Sequence, residues 1–538
     1  MTTVHYRGGR VFSPGSTWAE SVVVQDDRIV FVGDADVADQ RFERAEVVDL
    51  HGRLTMPGFI DAHTHIVGFG ESLAQIDLLD AGDLAEIARR ITAFAGADPA
   101  APRIVGHGWL YTAIDGGRPT RALLDAVEPD RPVYLTANDQ HSSWLNSAAL
   151  RELGIDSSTP DPIGGQIGRD AAGEPDGMLY EAASLQLMRT FLDAQVTDQQ
   201  RDDALRLALH RYRADGVTTV VDMATTDDDL GALERALAAG DGRLPVRVAM
   251  HWLVEQRATD AENLAQVARA VELRARLDSP WLSVRGIKLM VDGVIDSCTA
   301  AMSHPFADGS HPDPLWDRDA LTAVVVAADA AGLQIAMHAI GDAASDLALD
   351  ALEQAAIRNG PRATRRHRLE HLEYVAPHNV ERLAALGVVA SMQPVHSDPA
   401  IGENWAAVLG DHRVERGFAW PEFTDAGAVV AFGTDAPTAP NAPLPNMFIA
   451  TTRRSAIDPT LPPNNPRYAL SMAEAFAHGT SDAAYASQME SFTGRLTAGY
   501  AADFIVLDTD SFVRGPDSLL VARPVIHVVG GRRTSLPG

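Results

Sequence analysis

Strand-like and helix-like segments alternate along the chain from residue 198 to residue 434. Most of the strand segments are rich in Val, Ile and Leu, as expected for parallel strands that are covered on both faces. Eight parallel βα units close into a barrel whose active site lies at the C-terminal ends of its strands. We therefore predict an α/β fold, a (β/α)8 TIM barrel over residues 58–492. The predicted strands are Phe59–His65, Gly216–Asp222, Val246–Trp252, Leu282–Val291, Gln334–His338, Arg368–Glu373, Val388–Gln393 and Ala428–Thr434.

Short strands flank this region at both ends of the chain. Turn signals separate the N-terminal ones, and a turn-and-strand pattern returns at residues 494–508, followed by a hairpin around Gly530-Gly531. We predict that residues 1–57 and 493–538 pair into one small β-sandwich, and two unrelated terminal sheets are the alternative. The N-terminal strands are Val4–Tyr6, Val11–Phe12, Ser21–Gln25, Arg28–Gly33 and Ala45–Leu50.

A long insertion, residues 70–197, separates the first barrel strand from the second. Long segments that leave a barrel from its active-site end commonly form functional lids. We therefore predict that the insertion is a lid or cap within the barrel domain. The alternative is an independent domain elsewhere on the surface.

The formal net charge of −28 excludes some classes of partner. A strongly acidic surface repels phosphate backbones, so we expect no nucleic acid and no anionic membrane as a partner. Solubility alone also explains such a charge. The single cysteine, Cys298, rules out an intrachain disulfide and a cysteine-based zinc site. No run of about 18 apolar residues occurs, and we expect a cytoplasmic protein.

The first predicted strand ends in the motif His63-Thr-His65. Side chains alternate across a strand, so two histidines that lie two residues apart point the same way. Two adjacent imidazoles at a strand end form half of a metal site. Alternatively, they are simply two buried, hydrogen-bonded histidines.

Later strands supply further candidate ligands. His338 ends the fifth strand, His371 lies in the sixth and Asp435 ends the eighth. Imidazole and carboxylate suit Zn²⁺ and, less exclusively, Mn²⁺, Fe²⁺ or Ni²⁺. Each residue alone could instead cap or orient a neighbour. Together they predict a divalent metal site at the barrel mouth, with Zn²⁺ as the preferred ion and one or two ions per chain.

Lys288 lies in the fourth strand between apolar residues. A buried ammonium is costly, so burial lowers the pKa of such a lysine. A neutral amine there could react with CO₂ to give a carbamate that bridges two metals, which we favour. The alternatives are a neutral lysine that carries protons and a side chain that extends to the rim.

These motifs, taken in order, resemble those of the amidohydrolase superfamily, and within it the large-insert branch that includes N-substituted formamide deformylase. The resemblance covers essentially the whole chain. It is carried by Pro57-Gly-Phe-Ile-Asp-Ala-His-Thr-His65, Gly286-Ile-Lys-Leu-Met-Val-Asp-Gly293, His338-Ala-Ile-Gly-Asp342, Leu369-Glu-His371, Gly433-Thr-Asp435 and Gly494-Arg-Leu-Thr-Ala-Gly-Tyr-Ala-Ala-Asp503, with Gly108-Trp109, Pro119-Thr-Arg121 and His141-Ser-Ser-Trp-Leu-Asn146 in the insertion.

The resemblance implies a role for each candidate ligand. His63, His65 and Asp435 would hold one metal, and His338 and His371 a second. A carboxylated Lys288 would bridge the two. Because members with a single metal exist, the number of ions stays open. Of these residues, Asp435, Lys288 and His371 are the predicted catalytic ones.

The predicted reaction is hydrolysis of a non-peptide C–N bond in an amide, an N-formyl group or a cyclic amide. Hydroxide generated at the metal attacks the carbonyl, and Asp435 serves as general base and then as general acid. Glu370 and Asp342 are either supporting partners or ordinary strand- and helix-end residues. The alternatives are a deaminase, an esterase or lactonase, and a non-catalytic binding protein on the same scaffold.

Substrate contacts are predicted from two regions. The insertion supplies Trp109, His141, Trp144 and Asn146, and the segment after the fourth strand supplies Asp292 and Cys298. Aromatic residues are also ordinary packing residues, so each of these positions has a structural alternative. We expect a small-molecule substrate and allow for a homodimer.

Overall fold

The chain divides into two units in the computed structural model, which describes residues 2–114, 118–138, 142–162 and 165–535. The first unit comprises Met1–Ile66 and Leu209–Gly538, and the second comprises Val67–Ala208. The second unit contains the whole predicted insertion. Whether that insertion covers the barrel mouth stays a prediction.

The N-terminal segment forms short strands that belong to two sheets. Four of them make a sheet in the order β4-β3-β1-β5, while β2 pairs with β6 in a second sheet. The elements are β1 (Thr3–Arg7), β2 (Arg10–Val11), β3 (Ser21–Gln25), β4 (Arg28–Gly33), α1 (Ala35–Arg41), β5 (Glu46–Asp49) and β6 (Leu54–Pro57).

The insertion follows the first barrel strand, β7 (Phe59–Thr64), and has a sheet and a core of its own. Its six strands pair in the order β12-β13-β11-β10-β9-β8, and Trp109 and Trp144 lie in its buried core. The strands are β8 (Ile76–Asp77), β9 (Ile104–Trp109), β10 (Val133–Ala137), β11 (Ser142–Leu145), β12 (Gly165–Arg169) and β13 (Pro175–Glu181). The helices are α2 (Ile66–Leu73), α3 (Leu84–Ala97), α4 (Arg121–Asp125), α5 (Ser147–Leu153) and α6 (Thr190–Asp193), with a 3₁₀ turn at Tyr111–Ala113 and a π-helical segment at Ser184–Arg189.

The remaining barrel strands alternate with helices, and neighbouring strands run parallel, as predicted. Reciprocal hydrogen bonds at Thr226 and Thr259 start two of the helices. The strands are β14 (Val217–Thr225), β15 (Arg247–Leu253), β16 (Leu282–Met290), β17 (Gln334–Ala339), β18 (Arg368–His371), β19 (Val389–Met392) and β20 (Val430–Phe432). The helices are α7 (Asp198–Ala214), α8 (Asp227–Ala239), α9 (Asp260–Arg276), α10 (Arg318–Ala330), α11 (Asp342–Asn359), α12 (Pro377–Ala385), α13 (Trp405–Leu409) and α14 (Trp420–Asp425), with 3₁₀ turns at Pro394–Ser397, Gly402–Asn404 and His412–Arg416.

The end of β20 closes the barrel against β7. The backbone amides of Thr434 and Asp435 donate to the carbonyl oxygen of His63 at 3.2 and 2.7 Å. A Cβ atom at Gly433 would lie 2.4 Å from the backbone nitrogen of His63, so only glycine allows this approach. The closure therefore places Asp435 directly beside the first histidine.

A short helix, α17 (Ser481–Ala486), fills the barrel interior at the N-terminal ends of the strands. It follows α15 (Pro443–Thr452), a 3₁₀ turn at Pro466–Tyr468 and α16 (Met472–His478). Its alanines pack against inward-facing residues such as Ile60 and Ala249. The Gln334 side-chain amide donates to the Ala486 carbonyl at 2.8 Å. The base of the barrel is thus sealed by small side chains and one buried amide.

The C-terminal strands complete the β-sandwich with the N-terminal segment, which confirms that prediction. β21 (Phe504–Leu507) pairs antiparallel with β6, followed by α18 (Ser511–Arg514), a 3₁₀ turn at Pro516–Leu520, β22 (Pro524–Val529) and β23 (Arg532–Ser535). The five-stranded sheet has the order β2-β6-β21-β22-β23. Tyr6 and Val22 share one core with Phe504 and Val528, so the two ends fold together. None of the helices in the described ranges is long and apolar enough to cross a membrane.

Candidate metal centre

The predicted ligands converge at the C-terminal mouth of the barrel. The ring centroids of His63 and His371 lie 4.7 Å apart, those of His338 and His371 4.4 Å, and those of His63 and His65 5.6 Å. Asp435 lies beside them, with Oδ1 3.3 Å from His63 Nε2 and 3.1 Å from His65 Nε2. Residues from four different strands or strand ends therefore meet at one point.

Two atoms at this point are buried and have no hydrogen-bond partner among the described residues, His63 Nε2 and Asp435 Oδ1. Buried polar atoms without a partner are costly, so such atoms indicate an absent ligand. Ligand atoms of His63, His371 and Asp435 all lie within 4.8 Å of one another. Two imidazoles and a carboxylate at this spacing fit a divalent cation.

The backbone is in the left-handed region at two of these residues, with φ of 74° at His371 and 59° at Asp435. This conformation is uncommon for residues other than glycine. Such strain clusters at functional sites, where the surrounding structure holds it in place. At both positions the chain turns as it leaves the barrel strand, which aims the side chain inward.

Glu370 orients His63. Its carboxylate accepts a hydrogen bond from His63 Nδ1 at 2.7 Å, which leaves the Nε2 lone pair of His63 directed at Asp435. Arg368 donates to Glu370 and to Ser391 Oγ, so the carboxylate is itself held on a buried guanidinium. A carboxylate behind a ligating histidine fixes its tautomer and raises its basicity. This supports the prediction that Glu370 is a partner of a ligand.

His371 and His338 are held in a similar way. His371 Nδ1 donates to Gln393 Oε1 at 2.9 Å, which frees its Nε2. His338 Nε2 lies 3.0 Å from the Gly293 carbonyl oxygen. Asp292 clamps the ends of β16 and β17, because its carboxylate accepts from the amides of Ile340 and Gly341. Burial raises the pKa of Asp292 to about 7.

The electrostatics of the cluster favour neutral imidazoles at His63, His338 and His371 and an ionised carboxylate, whereas Asp435 raises the pKa of His65 against the effect of burial. Burial and the charge of Lys288 lower the pKa of His338 to about 3, and burial lowers the pKa of His371 far below its usual value. Burial alone would raise the pKa of Asp435, but the neighbouring His63 and His65 hold it well below its usual range. Neutral imidazole and carboxylate are the forms that bind metal.

Lys288 lies inside the barrel and is 1% exposed. Burial lowers the pKa of its amine to about 8, against the opposing charges of Glu370 and Asp435. Among the described residues, none accepts a hydrogen bond from its Nζ. A partly neutral amine without a partner fits the chemistry that carbamate formation requires.

The structure does not support substrate contacts for three residues of the insertion. Trp109 and Trp144 are fully buried in its core, and their indole N–H groups donate to the carbonyls of Leu135 and Thr120 at 3.0 and 2.9 Å. Asn146 caps α5 and accepts from the Ala149 amide at 2.8 Å. Their polar groups are thus already used within the insertion.

The other predicted residues have mixed outcomes. His141 lies outside the described residues. Cys298 is half-buried and has a φ of 56°. Asp342, in the first turn of α11, accepts a hydrogen bond from the Ser303 amide at 2.7 Å, which gives it a structural role in holding that loop.

Two further residues lie at the mouth, Gln393 and His396, on the turn after β19, and neither is among the residues predicted from the sequence. His396 Nε2 lies 3.6 Å from Asp435 Oδ2, and its Nδ1 lies 3.2 Å from Glu373 Oε1. Its ring is nearly parallel to that of His371, with centroids 5.9 Å apart. The sequence contains a signal for both residues, because the predicted strand Val388–Gln393 ends at Gln393 and His396 follows shortly after it, where ligands are expected.

Known proteins share both this sequence pattern and this fold. The profile of the Amidohydrolase family matches residues 46–534. The chain is 30% identical over 531 residues to Protein LONG AFTER FAR-RED 3 of Arabidopsis thaliana, covering 94% of this chain and 87% of that protein. It is 29% identical over 518 residues to N-substituted formamide deformylase of Arthrobacter pascens, covering 93% and 92%. A solved structure, an uncharacterized metal-dependent hydrolase from Pyrococcus horikoshii OT3, matches with a TM-score of 0.76 at 25% identity, covering 95% of this chain and 98% of that one.

Proposed function

The chain belongs to the amidohydrolase family of metal-dependent hydrolases, and we propose that it cleaves a non-peptide C–N bond in a small molecule. The substrates proposed are amides, N-formyl amines and cyclic amides. One observation carries the proposal: at the mouth of the barrel, His63 Nε2 and Asp435 Oδ1 are buried with no hydrogen-bond partner in the part of the chain that the structure describes. The similarity to a formamide deformylase supports the choice of bond.

The proposed metal is Zn²⁺, with one or two ions per chain. His63, His65 and Asp435 would hold one ion, and His338 and His371 a second. A CO₂-derived carbamate on Lys288 would bridge them. The lowered pKa values support this arrangement, since His338 and His371 are then neutral at neutral pH and a larger fraction of Lys288 is unprotonated than for an ordinary lysine.

When bound, the metal lowers the pKa of a water molecule and polarises the substrate carbonyl. Asp435 is positioned to take the proton of the attacking water, because its Oδ2 is turned away from His63 towards His396. The water oxygen bonds to the carbonyl carbon, the C–N bond breaks, and Asp435 passes the proton to the leaving nitrogen. The products are a carboxylic acid and an amine. Glu370 keeps His63 in the tautomer that this arrangement needs.

The proposed setting is the cytoplasm, with no nucleic acid or membrane partner. The formal charge of −28 supports this choice, because anionic polymers and surfaces are repelled. A homodimer is the proposed assembly to test first.

A substrate panel tests the proposal. Metal-replete protein is assayed with N-formyl amines, hydantoins, lactams and N-acyl amino acids, and amine release is measured. Matched esters and an aminated heterocycle are assayed beside them. We expect amide cleavage to exceed ester cleavage and deamination, and Asp435→Asn to remove it. Faster turnover of the esters or of the heterocycle would contradict the choice of bond.

A further inference from the structure

In the side-chain amide of Gln393, the carbonyl oxygen is hydrogen-bonded, whereas the NH₂ group is not. The residue is 1% exposed, and its Oε1 accepts a hydrogen bond from His371 Nδ1 at 2.9 Å. Its Nε2 is buried without a partner among the described residues. Leaving a buried donor unpaired destabilises the protein, so an acceptor is expected to bind there.

A second buried glutamine shows what a structural role looks like in this fold. Gln334 is also 1% exposed, and its Oε1 also pairs with a histidine, His251, at 2.9 Å. Its Nε2, however, donates to the carbonyls of Arg366 and Ala486. At the base of the barrel, where no ligand is expected, the glutamine NH₂ group is therefore hydrogen-bonded. At the mouth, the NH₂ group of Gln393 is not.

The chemistry of His371 fixes which way the Gln393 amide points. For His371 to bind metal through Nε2, its Nδ1 must carry the proton. The group that faces Nδ1 must then be the acceptor, which is Oε1. The NH₂ group is consequently the free end of the amide, next to a ligating imidazole.

The backbone around Gln393 is held rigidly. Asn446 Oδ1 accepts from the Val395 amide at 2.7 Å, and Asn446 Nδ2 donates to the Gly433 carbonyl at 3.0 Å. One side chain therefore ties the turn after β19 to the segment that carries Asp435. A fixed donor loses little by reorganisation when negative charge develops on the atom that it faces.

We propose that Gln393 Nε2 donates a hydrogen bond to the substrate's carbonyl oxygen, and that this bond strengthens as the oxygen becomes an oxyanion. The inference rests on the proposed function and deepens it. It makes Gln393 a catalytic residue with two tasks, since Oε1 orients His371 while Nε2 binds substrate. It also favours substrates that present a hydrogen-bond acceptor, such as a carbonyl oxygen, to Gln393 Nε2.

Two substitutions separate the two tasks. Gln393→Glu keeps the shape and the acceptor for His371 but replaces the donor with an anion. Gln393→Met removes both groups. Gln40→Glu, at an exposed position, controls for the added negative charge. For each protein, Zn²⁺ affinity is measured by competition with a chromophoric chelator, kcat/KM with the best amide of the panel, and folding by thermal unfolding.

We expect Gln393→Glu to bind Zn²⁺ as tightly as the unsubstituted protein or more tightly, while kcat/KM falls by about 10²–10³-fold, the usual cost of losing one oxyanion donor. Gln393→Met should also lose about 10–100-fold in Zn²⁺ affinity, as for other partners of metal ligands. Gln40→Glu should change neither quantity.

A Gln393→Glu protein that holds Zn²⁺ and keeps kcat/KM within about threefold of the unsubstituted value would overturn the inference. Weaker Zn²⁺ binding by Gln393→Glu would overturn the role given to Oε1. Failure of the unsubstituted protein to cleave any carbonyl compound would instead overturn the proposed function, so the two failures are distinguishable.

Discussion

The base and the mouth of the barrel differ in how their buried charged groups are paired. At the base, Arg247 donates two hydrogen bonds to Asp503, at 2.7 and 3.0 Å, and both residues are buried. At the mouth, His63 Nε2, Asp435 Oδ1 and Gln393 Nε2 are buried without partners among the described residues. Unpaired buried atoms also occur towards the base, at His251 Nδ1 and Thr219 Oγ1, but at the mouth they belong to side chains that meet at one point and that a metal or substrate can satisfy.

Asp503 shows how a fully hydrogen-bonded carboxylate stabilises the fold. Besides Arg247, it accepts from Thr493 Oγ1 at 3.0 Å and from the Gly530 amide at 2.8 Å. One carboxylate thus joins the first part of β15 to the C-terminal sandwich. The motif that ends in Asp503 carried part of the family resemblance, and its role here is to hold two parts of the fold together.

The largest expected effect is at the mouth. Asp435→Asn should lower kcat by about 10²–10⁴-fold, the range for loss of a general acid–base group. The free energy of unfolding should fall less than for a paired carboxylate such as Asp503, because Asp435 Oδ1 has no hydrogen-bond partner among the described residues. Steady-state kinetics and urea unfolding measure the two quantities. A variant that unfolds easily would contradict the comparison.

A substitution at the base of the barrel should lower stability and leave activity unchanged. Asp503→Ala leaves the Arg247 guanidinium buried without its partner, which should cost about 3–5 kcal/mol of unfolding free energy. The value of kcat per folded molecule should stay the same, because Asp503 lies at the opposite end of the barrel from Asp435. Loss of activity without loss of stability would reverse the roles given to the two ends.

A smaller effect is expected for the residue behind His63. Glu370→Gln weakens the acceptor for His63 Nδ1, and Zn²⁺ affinity should fall by about 10–100-fold. Glu86→Gln is the matched control, because Glu86 pairs with Arg89 and Arg90 outside the site. Chelator competition compares the variants. Equal Zn²⁺ affinity in all three proteins would show that Glu370 does not support a ligand.

The smallest effect on activity is expected in the insertion. Trp144→Phe removes the hydrogen bond to Thr120 and should cost about 1 kcal/mol of stability. It should change kcat/KM by less than about threefold, because the indole is buried in the core of the insertion. A large rise in KM would restore Trp144 as a substrate contact.

The alternation of strand-like and helix-like segments predicted the eight barrel strands. The rule that the active site of a barrel lies at the C-terminal ends of its strands then predicted His338 and Asp435 as ligands. Helix α17 was not predicted, because a short run of small residues has no amphipathic period. The left-handed conformation of His371 could not be predicted either, because a sequence indicates that conformation mainly at glycine.

The insertion and the turn after β19 mark the limits of prediction. Buried tryptophans in a core and tryptophans in a pocket have the same sequence signature, so Trp109 and Trp144 were assigned to substrate. Gln393 was overlooked because its role depends on which half of the amide finds a partner. Which half of the amide has a partner is decided only by the folded structure.

The most direct test of the account is the Zn²⁺ content of the intact chain compared with that of His63→Asn. Both proteins are purified without chelator, titrated with Zn²⁺, dialysed and analysed by plasma mass spectrometry. The account predicts one or two ions per unsubstituted chain and a loss of bound zinc in the variant, with thermal unfolding of the metal-free proteins little changed. An unsubstituted chain that retains no more zinc than His63→Asn would contradict it.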